Sequence, residues 1–358
     1  MFILENLVRE NIKRLTPYSS ARKEFTGAAQ IFLDANENSF GSPLPRNYNR
    51  YPDPLQTEIK EKVAALHGVK SSEIFIGSGS DEAIDLLFRI FCEPRRDNIL
   101  ICPPTYGMYE VSAKINDIEI KRANLDKDFQ LNFDAIEQAI DTKTKLLFIC
   151  SPNNPTGNSF TREDILNLAK NFGGIVVVDE AYIHFSGEKS LIGEINNFPN
   201  LIILQTFSKA WGLAGLRVGL AFANKEIIRF FNKVKPPYNI SEIAQEAILN
   251  ALQNSKKVKE TIEKIIFERE KLIENLPQFS FIQKIYPTDA NFILVKTSDA
   301  NSIYKFLLDE EIVVRNRSNI ELCAGCLRIT IGTPDENKNL LKALESFTAR
   351  LKGHKVFK

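Results

Sequence analysis

Lys209 closes the stretch Thr206-Phe207-Ser208-Lys209, directly after the apolar run Leu201–Gln205. An amine forms a Schiff base with a carbonyl only when deprotonated, and a partly buried, electropositive pocket promotes that state. Arg217, eight residues on in GLAGLRVG, can add positive field and a contact to an anion. A second group lies in Val176-Val177-Val178-Asp179-Glu180, where a carboxylate ends another apolar run. Such a carboxylate serves a ligand cation, a metal or a helix cap. A protonated ring nitrogen is a ligand of the first kind, and no cluster of further ligands accompanies Asp179 for the second. His184, five residues on, reads as a core or surface residue. A third group is Gly77-Ser78-Gly79-Ser80-Asp81-Glu82, which opens a helix with the apolar face Ile84, Leu87, Phe88 and Phe91. Glycine permits close backbone approach, and a helix N-terminus offers N–H groups to a phosphate. The turn lacks the third glycine of a dinucleotide fingerprint and the lysine of a Walker loop. Taken alone, Ser80 is equally an N-cap.

These residues need a scaffold that brings strand ends together. From about residue 70, short apolar runs alternate with helical patterns, the signature of an α/β layer architecture. Strands are expected at Ile74–Ile76, Ile99–Cys102, Leu146–Cys150, Ile175–Val178 and Leu201–Gln205, each nearly all apolar as in a sheet covered on both faces. Helical patterns such as Ala83–Phe91 and Arg162–Lys170 lie between them. In open α/β sheets ligands bind beyond the carboxyl ends of the strands. Here those ends read GSGSDE, PPTYG, SPNNPTG, DEAY and TFSK, a concentration of glycine, aromatic, amide, carboxylate and amine groups. After KPPYNIS a second pattern begins: a long helical region Glu242–Glu274, then strands Asn291–Val295 and Leu327–Ile331 around a helix near Ser302–Leu308. The expected division is an amphipathic arm (1–30), a large domain (31–237) and a smaller α+β C-terminal domain (238–358). In the arm, Phe2, Ile3, Leu7, Val8, Ile12 and Leu15 follow helical spacing.

Bulk properties exclude several classes. The 358 residues carry a formal net charge of +1, and no basic run points to nucleic acid. No apolar stretch approaches the roughly 20 residues of a membrane span, and the start has charges interleaved with apolar residues, unlike a secretory leader. A cytoplasmic protein is expected. The KGHKVFK ending reads as a solvated tail. Of five cysteines, Cys323 and Cys326 form a CxxC with no second pair and no nearby histidine, so two reduced, packed thiols are expected and no metal site.

The motifs LTPYSSAR, DANENSFG, RYPDP, GSGSDEAID, PPTYGMYE, SPNNPTG, VVDEAY, TFSKAWGLAGLRVG and LRITIGT run in order through nearly the whole chain. Together they make it similar to the fold-type I pyridoxal-phosphate (PLP) aminotransferases, and within them to the histidinol-phosphate aminotransferase family. The resemblance implies a mixed, mostly parallel sheet between helices plus the smaller C-terminal domain. It makes Lys209 the catalytic Schiff-base lysine and proton shuttle, and pairs Asp179 with the ring nitrogen. Asn154 and Tyr182 fall to the ring hydroxyl, and Tyr106 to the ring face. The phosphate falls to Gly79, Ser80, Asp81, Thr206, Ser208 and Arg217. Tyr51 is implied to reach the cofactor of a neighbouring subunit, which makes the protein a homodimer with shared active sites.

By the same resemblance the reaction converts histidinol phosphate and 2-oxoglutarate to imidazole-acetol phosphate and glutamate, in histidine biosynthesis. Arg328 is placed for a carboxylate through a bidentate fork. Arg315, 13 residues earlier, matches the family's paired arginines and suits a phosphate dianion; beside Arg317 it also reads as a surface charge. Tyr18 resembles an N-terminal phosphate contact that would make the arm a lid, and Asn36 is a further substrate-side candidate. DANENSFG departs from the family in having serine where proline commonly follows NEN, a change of loop stiffness. A PLP lyase of the threonine-phosphate decarboxylase type and an aromatic amino-acid aminotransferase share the scaffold and remain alternatives. A non-catalytic regulator would need a helix-turn-helix extension, and a nicotinamide dehydrogenase a full glycine fingerprint; neither is present.

Overall fold

The computed structural model describes residues 2–19 and 30–355, with side chains to residue 351. Ser20–Arg22 of the LTPYSSAR motif and the last residues of the tail lie outside the described residues. Seven strands form the main sheet: β1 (Ile74–Ser78), β2 (Asn98–Ile101), β3 (Glu119–Arg122), β4 (Thr144–Cys150), β5 (Ile175–Asp179), β6 (Leu201–Thr206) and β7 (Val218–Ala223). Their order is β1-β7-β6-β5-β4-β2-β3. Pairing is parallel from β3 through β6, and β7 runs antiparallel to both its neighbours. Six strands therefore point one way, and the carboxyl ends of β1, β2, β4, β5 and β6 share one edge.

Side-chain alternation explains why this sheet is buried on both sides. Ile74, Ile76, Leu147, Ile149, Val176, Val178, Leu201, Ile203 and Phe222 join one core with helices Thr57–His67, Arg162–Asn171 and Glu242–Gln253. Phe75, Ile99, Ile101, Leu146, Phe148, Val177, Ile202, Leu204 and Ala221 join the other with helices Gly79–Phe91, Met108–Ile115 and Lys225–Val234. A strand apolar at every position is the one sequence that satisfies both cores.

The second sheet is antiparallel throughout, in the order β10-β11-β9-β8, from β8 (Ile282–Ile285), β9 (Phe292–Thr297), β10 (Arg315–Asn316) and β11 (Cys326–Thr330). Leu272, Ile303, Phe306, Leu307, Leu340, Leu344 and Phe347 from helices Ser255–Asn275, Ala300–Asp309 and Pro334–Lys355 cover it. The two units interlock: Asp289 N donates to Gly157 O at 2.7 Å. Cys323 and Cys326, both free and buried, pack into the core of the large sheet rather than that of their own.

Several sequence expectations need correction. The arm is two short helices, Leu4–Leu7 and Glu10–Arg14, not one; Val8 and Ile12 bury against the large unit. The region 242–274 breaks at Asn254 into Glu242–Gln253 and Ser255–Asn275. β3, β7, β8 and β10 were not anticipated. β3 (Glu-Ile-Lys-Arg) is a half-exposed edge strand without an apolar run, and in β7 the small residues Gly219, Ala221 and Ala223 interrupt the run. Among the described residues no helix is long and apolar enough to cross a membrane.

Gly219 on β7 lies where a Cβ would meet Ser80 N at 2.2 Å and Gly79 C at 2.4 Å. Its missing side chain lets β7 press against the start of helix Gly79–Phe91. Since backbone cannot yield as a flexible side chain does, Gly219→Ala is expected to destabilise the chain by at least about 2 kcal/mol. Urea unfolding checks this; an unchanged midpoint would count against that close approach.

Candidate functional site

A cavity of about 520 Å³ opens where the five strand ends meet. Ser80, Asp81, Tyr106, Asn154, Asp179, Tyr182, Thr206, Ser208, Lys209, Arg217, Arg315 and Arg328 all line it. Twelve residues singled out from the sequence thus converge from six segments of the chain.

The anion end is built at the start of helix Gly79–Phe91, where the first N–H groups lie outside the helical ladder. Gly79 has φ +73°, a backbone conformation that residues with a Cβ rarely adopt, and a Cβ there would meet Arg217 Nη2 at 2.6 Å, so the guanidinium would have to shift. Gly79 N donates to Arg217 O at 2.8 Å. Arg217 Nη2 donates to Asp81 Oδ2 at 3.3 Å, Arg217 Nη1 to Ser208 Oγ at 3.3 Å, and Tyr106 hydroxyl to Asp81 Oδ1 at 3.1 Å. Ser208 N in turn donates to Thr206 Oγ1 at 3.0 Å. A turn of backbone donors with an arginine and two hydroxyls is a cradle for a phosphate.

Asp179 lies deeper, with 2% of its surface exposed. Tyr109 hydroxyl donates to its Oδ2 at 2.7 Å, and Ala181 N to its Oδ1 at 3.1 Å. Burial nevertheless raises its pKa to about 6, against those two hydrogen bonds. Its neighbour Glu180 is also buried, but Leu191 N, Ser190 and Gln205 satisfy it away from the cavity. Asp179 is therefore the carboxylate with business in the cavity, and a cationic ring nitrogen would relieve its desolvation.

Lys209 reaches the cavity from the turn after β6, with Nζ 5.6 Å from the centre of the Tyr182 ring. Solvent enters by the mouth, yet desolvation by the walls is the largest influence on this amine. It lowers the pKa, Arg328 and Arg217 lower it further, and Asp179 and Asp81 oppose. Asn154 Nδ2 donates to the Tyr182 hydroxyl at 3.4 Å, and Arg328 Nη1 donates to Asn154 Oδ1. The loops carrying these groups are tied together: Thr105 Oγ1 donates to Asn153 Oδ1 at 3.1 Å, and Asn153 Nδ2 to Pro104 O at 2.8 Å.

Four expected residues are not among those lining the cavity: Gly79, whose neighbours Ser80 and Asp81 do line it, Tyr18, Asn36 and Tyr51. Tyr18 and Asn36 are exposed, and Tyr51 is half-exposed and stacked on Tyr238 at 4.4 Å. Conversely, Arg317 lines the cavity and Tyr109 holds Asp179. Arg317 directly follows β10, and its place depends on pairing with β11, which no local spacing announces. Tyr109 offered no signal either, because a buried tyrosine beside an apolar helix face reads as core. His184 is half-buried, outside the cavity lining. Among the described residues no three His, Cys, Asp or Glu side chains are grouped to hold a metal.

Comparison with known proteins agrees with this assembly. The family described as "Aminotransferase class I and II" matches residues 31–344. The histidinol-phosphate aminotransferase of Cytophaga hutchinsonii is 52% identical over 346 residues, 97% of this chain and 99% of that protein. The crystal structure of the histidinol-phosphate aminotransferase from Clostridium acetobutylicum superposes with a TM-score of 0.78 at 28% identity, covering 85% of this chain and 92% of that one. The Sinorhizobium meliloti enzyme of that name, in complex with pyridoxal-5'-phosphate, shares the fold with a TM-score of 0.79 at 24% identity, over 88% and 90% of the two chains.

The raised pKa of Asp179 has a thermodynamic consequence in the ligand-free chain. Its folded pKa, about 6, exceeds the ordinary 3.8, so between those values the folded state holds more protons than the unfolded one and stability falls as pH rises. Asp179→Asn is expected to remove this loss, gaining on the order of 2–3 kcal/mol over wild type between pH 4 and pH 7. Denaturation across that range checks it; a pH-independent difference would show that Asp179 ionises without penalty.

Proposed function

The chain belongs to the class I and II aminotransferases, and on that footing we propose that it transfers the amino group of histidinol phosphate to 2-oxoglutarate with pyridoxal phosphate as cofactor. The products are imidazole-acetol phosphate and glutamate, in histidine biosynthesis. The single observation that carries the chemistry is the convergence of the Lys209 amine, the Asp179 carboxylate and the helix start at Ser80 and Asp81 on one cavity. The substrate follows from the end-to-end likeness to enzymes named for it.

The residues fit the cofactor part by part. The Ser80 and Asp81 N–H groups, Thr206, Ser208 and Arg217 would hold its phosphate. Asp179, already deprived of solvent, would keep the ring nitrogen protonated. Asn154 and Tyr182 would hydrogen-bond the ring hydroxyl, and Tyr106 would cover the ring. When bound, the cofactor supplies a carbonyl for the substrate amine and a ring that accepts the electron pair left by C–H cleavage. Lys209 tethers the cofactor at rest. With the substrate amine in its place, the Nζ of Lys209 would be the base at hand in the cavity to take and return a proton. Desolvation and the nearby arginines lower its pKa, which favours the neutral amine that such a role requires. Arg315 and Arg328 grip the anionic end of each substrate in turn, and Tyr18 and Asn36 close over the substrate side.

Tyr18, Tyr51 and Asn36 are assigned to a site completed by a second copy of the chain. Tyr51 does not line the cavity of its own chain, and Ile31, Leu33 and Phe40 of the same segment are largely exposed, apolar surface that a homodimer would cover. The reaction is assigned to the cytoplasm.

Lys209→Ala is expected to abolish the visible absorbance of the lysine-bound cofactor and to slow transamination by about 10³-fold or more. A wild-type-like spectrum in that variant would remove Lys209 from its role. Histidinol phosphate should bleach the wild-type band and 2-oxoglutarate restore it; carbon dioxide release from threonine phosphate would instead indicate the lyase. Sedimentation at micromolar concentration should give a dimer, and a monomer with full activity would refute the shared site.

A further inference from the structure

Antiparallel pairing places Arg315 directly opposite Arg328 on β10 and β11. The ladder extends one step further, since Arg317 N donates to Cys326 O at 2.9 Å. Side chains alternate along a strand, so Arg315 and Arg317 lie on the same face. All three guanidinium groups border the cavity. Among the described residues none of the three has a carboxylate partner, and like charges directly opposed on a sheet are destabilising. The Nε atoms of Arg317 and Arg328 are moreover buried without any hydrogen-bond partner. Burial lowers the pKa of Arg328 to about 10, with Arg317 as the next cause, and burial and Arg315 lower that of Arg317. An arrangement this unfavourable by itself is built for an anion that brings more charge and more acceptors than one carboxylate. A carboxylate offers two oxygens and one charge. A phosphate monoester offers three terminal oxygens and close to two charges at neutral pH.

We propose that Arg317 is a substrate-binding, specificity-determining residue: its guanidinium is the third cation on this face and sets the preference for a phosphorylated amine over one bearing a carboxylate or no anion. The inference rests on the function proposed above and adds to it a residue that the paired arginines do not include. With Arg315 and Arg328 alone the site serves a carboxylate, which it must also bind in the glutamate half-reaction. Arg317 supplies the donors that only the third phosphate oxygen uses.

The test uses the holoenzyme as wild type, Arg317→Gln and Arg317→Lys. Half-reaction kinetics are compared for histidinol phosphate, histidinol and glutamate, and the affinity for inorganic phosphate is measured by calorimetry. In Arg317→Gln, kcat/KM for histidinol phosphate is expected to fall about 10- to 100-fold, mostly through KM, with changes within about 3-fold for histidinol and glutamate. The affinity for inorganic phosphate should weaken by about 10-fold, and Arg317→Lys should recover part of both losses. Equal losses on all three substrates, or undiminished selectivity with unchanged phosphate affinity, overturn the proposal. A wild-type enzyme that treats histidinol phosphate and histidinol alike overturns the substrate reading and the role of Arg317 with it. A wild type that discriminates, beside an Arg317→Gln variant that discriminates as well, overturns only the latter.

Discussion

Parallel pairing from β3 through β6 is the constraint on which everything else rests. Parallel strands cannot be joined by tight hairpins; each return passes through a crossover, most of them here carrying a helix, and brings the next strand in with the same polarity. The carboxyl ends of β2, β4, β5 and β6 therefore arrive at one edge, each followed by a loop free of ladder duties. β1 joins the same edge because the antiparallel β7 between it and β6 reverses direction twice. Without that inserted strand, the helix start at Gly79 and the Arg217 turn would not be neighbours.

The assembled edge is electrostatically costly, and the cost is concentrated where ligands are expected. Asp179 is desolvated beyond what Tyr109 and Ala181 can offset. Lys209 is held short of its ordinary basicity by burial and two arginines. At the far side three guanidinium groups share one face, with no carboxylate partner among the described residues. Among the described residues Asp179 and the arginines of the β10–β11 hairpin are not joined in a salt bridge. That separation gives a bound molecule an orientation before any shape complementarity acts, since a cationic ring end and an anionic tail have one favourable alignment. By contrast, the Arg217–Asp81 contact fixes the helix start and leaves Arg217 half exposed to the cavity.

Much of this was legible in the sequence. Strands buried on both faces write themselves as uninterrupted apolar runs, so β1, β2, β4, β5 and β6 could be found, and with them the residues that follow. Edge strand β3 has one wet face and a charged sequence, and β10 is two residues long; neither carries a periodic signal. Lys209, Asp179 and Arg217 could be paired because each follows a recognisable strand end. Arg317 could not, because its meaning depends on the register between β10 and β11, a long-range fact. Tyr109 is subtler still, for its hydroxyl is the only part that distinguishes it from core. Tyr18, Asn36 and Tyr51 lie away from the cavity of the chain that carries them, and no reading of a single chain assembles them.

The packing of Cys323 and Cys326 in the core of the large sheet has a further consequence for how the protein could diversify. The arginine-bearing hairpin is anchored at both its strands and its connecting loop, so its side chains are presented by a stiff frame rather than by a swinging lid. At the same time it is one short contiguous stretch, residues 315–328, whereas the cofactor groups are scattered along more than a hundred residues upstream. The three cavity arginines and the residues around Lys209 are thus inherited on separate stretches of sequence. A lineage could redraft the former within fourteen codons and leave the latter intact.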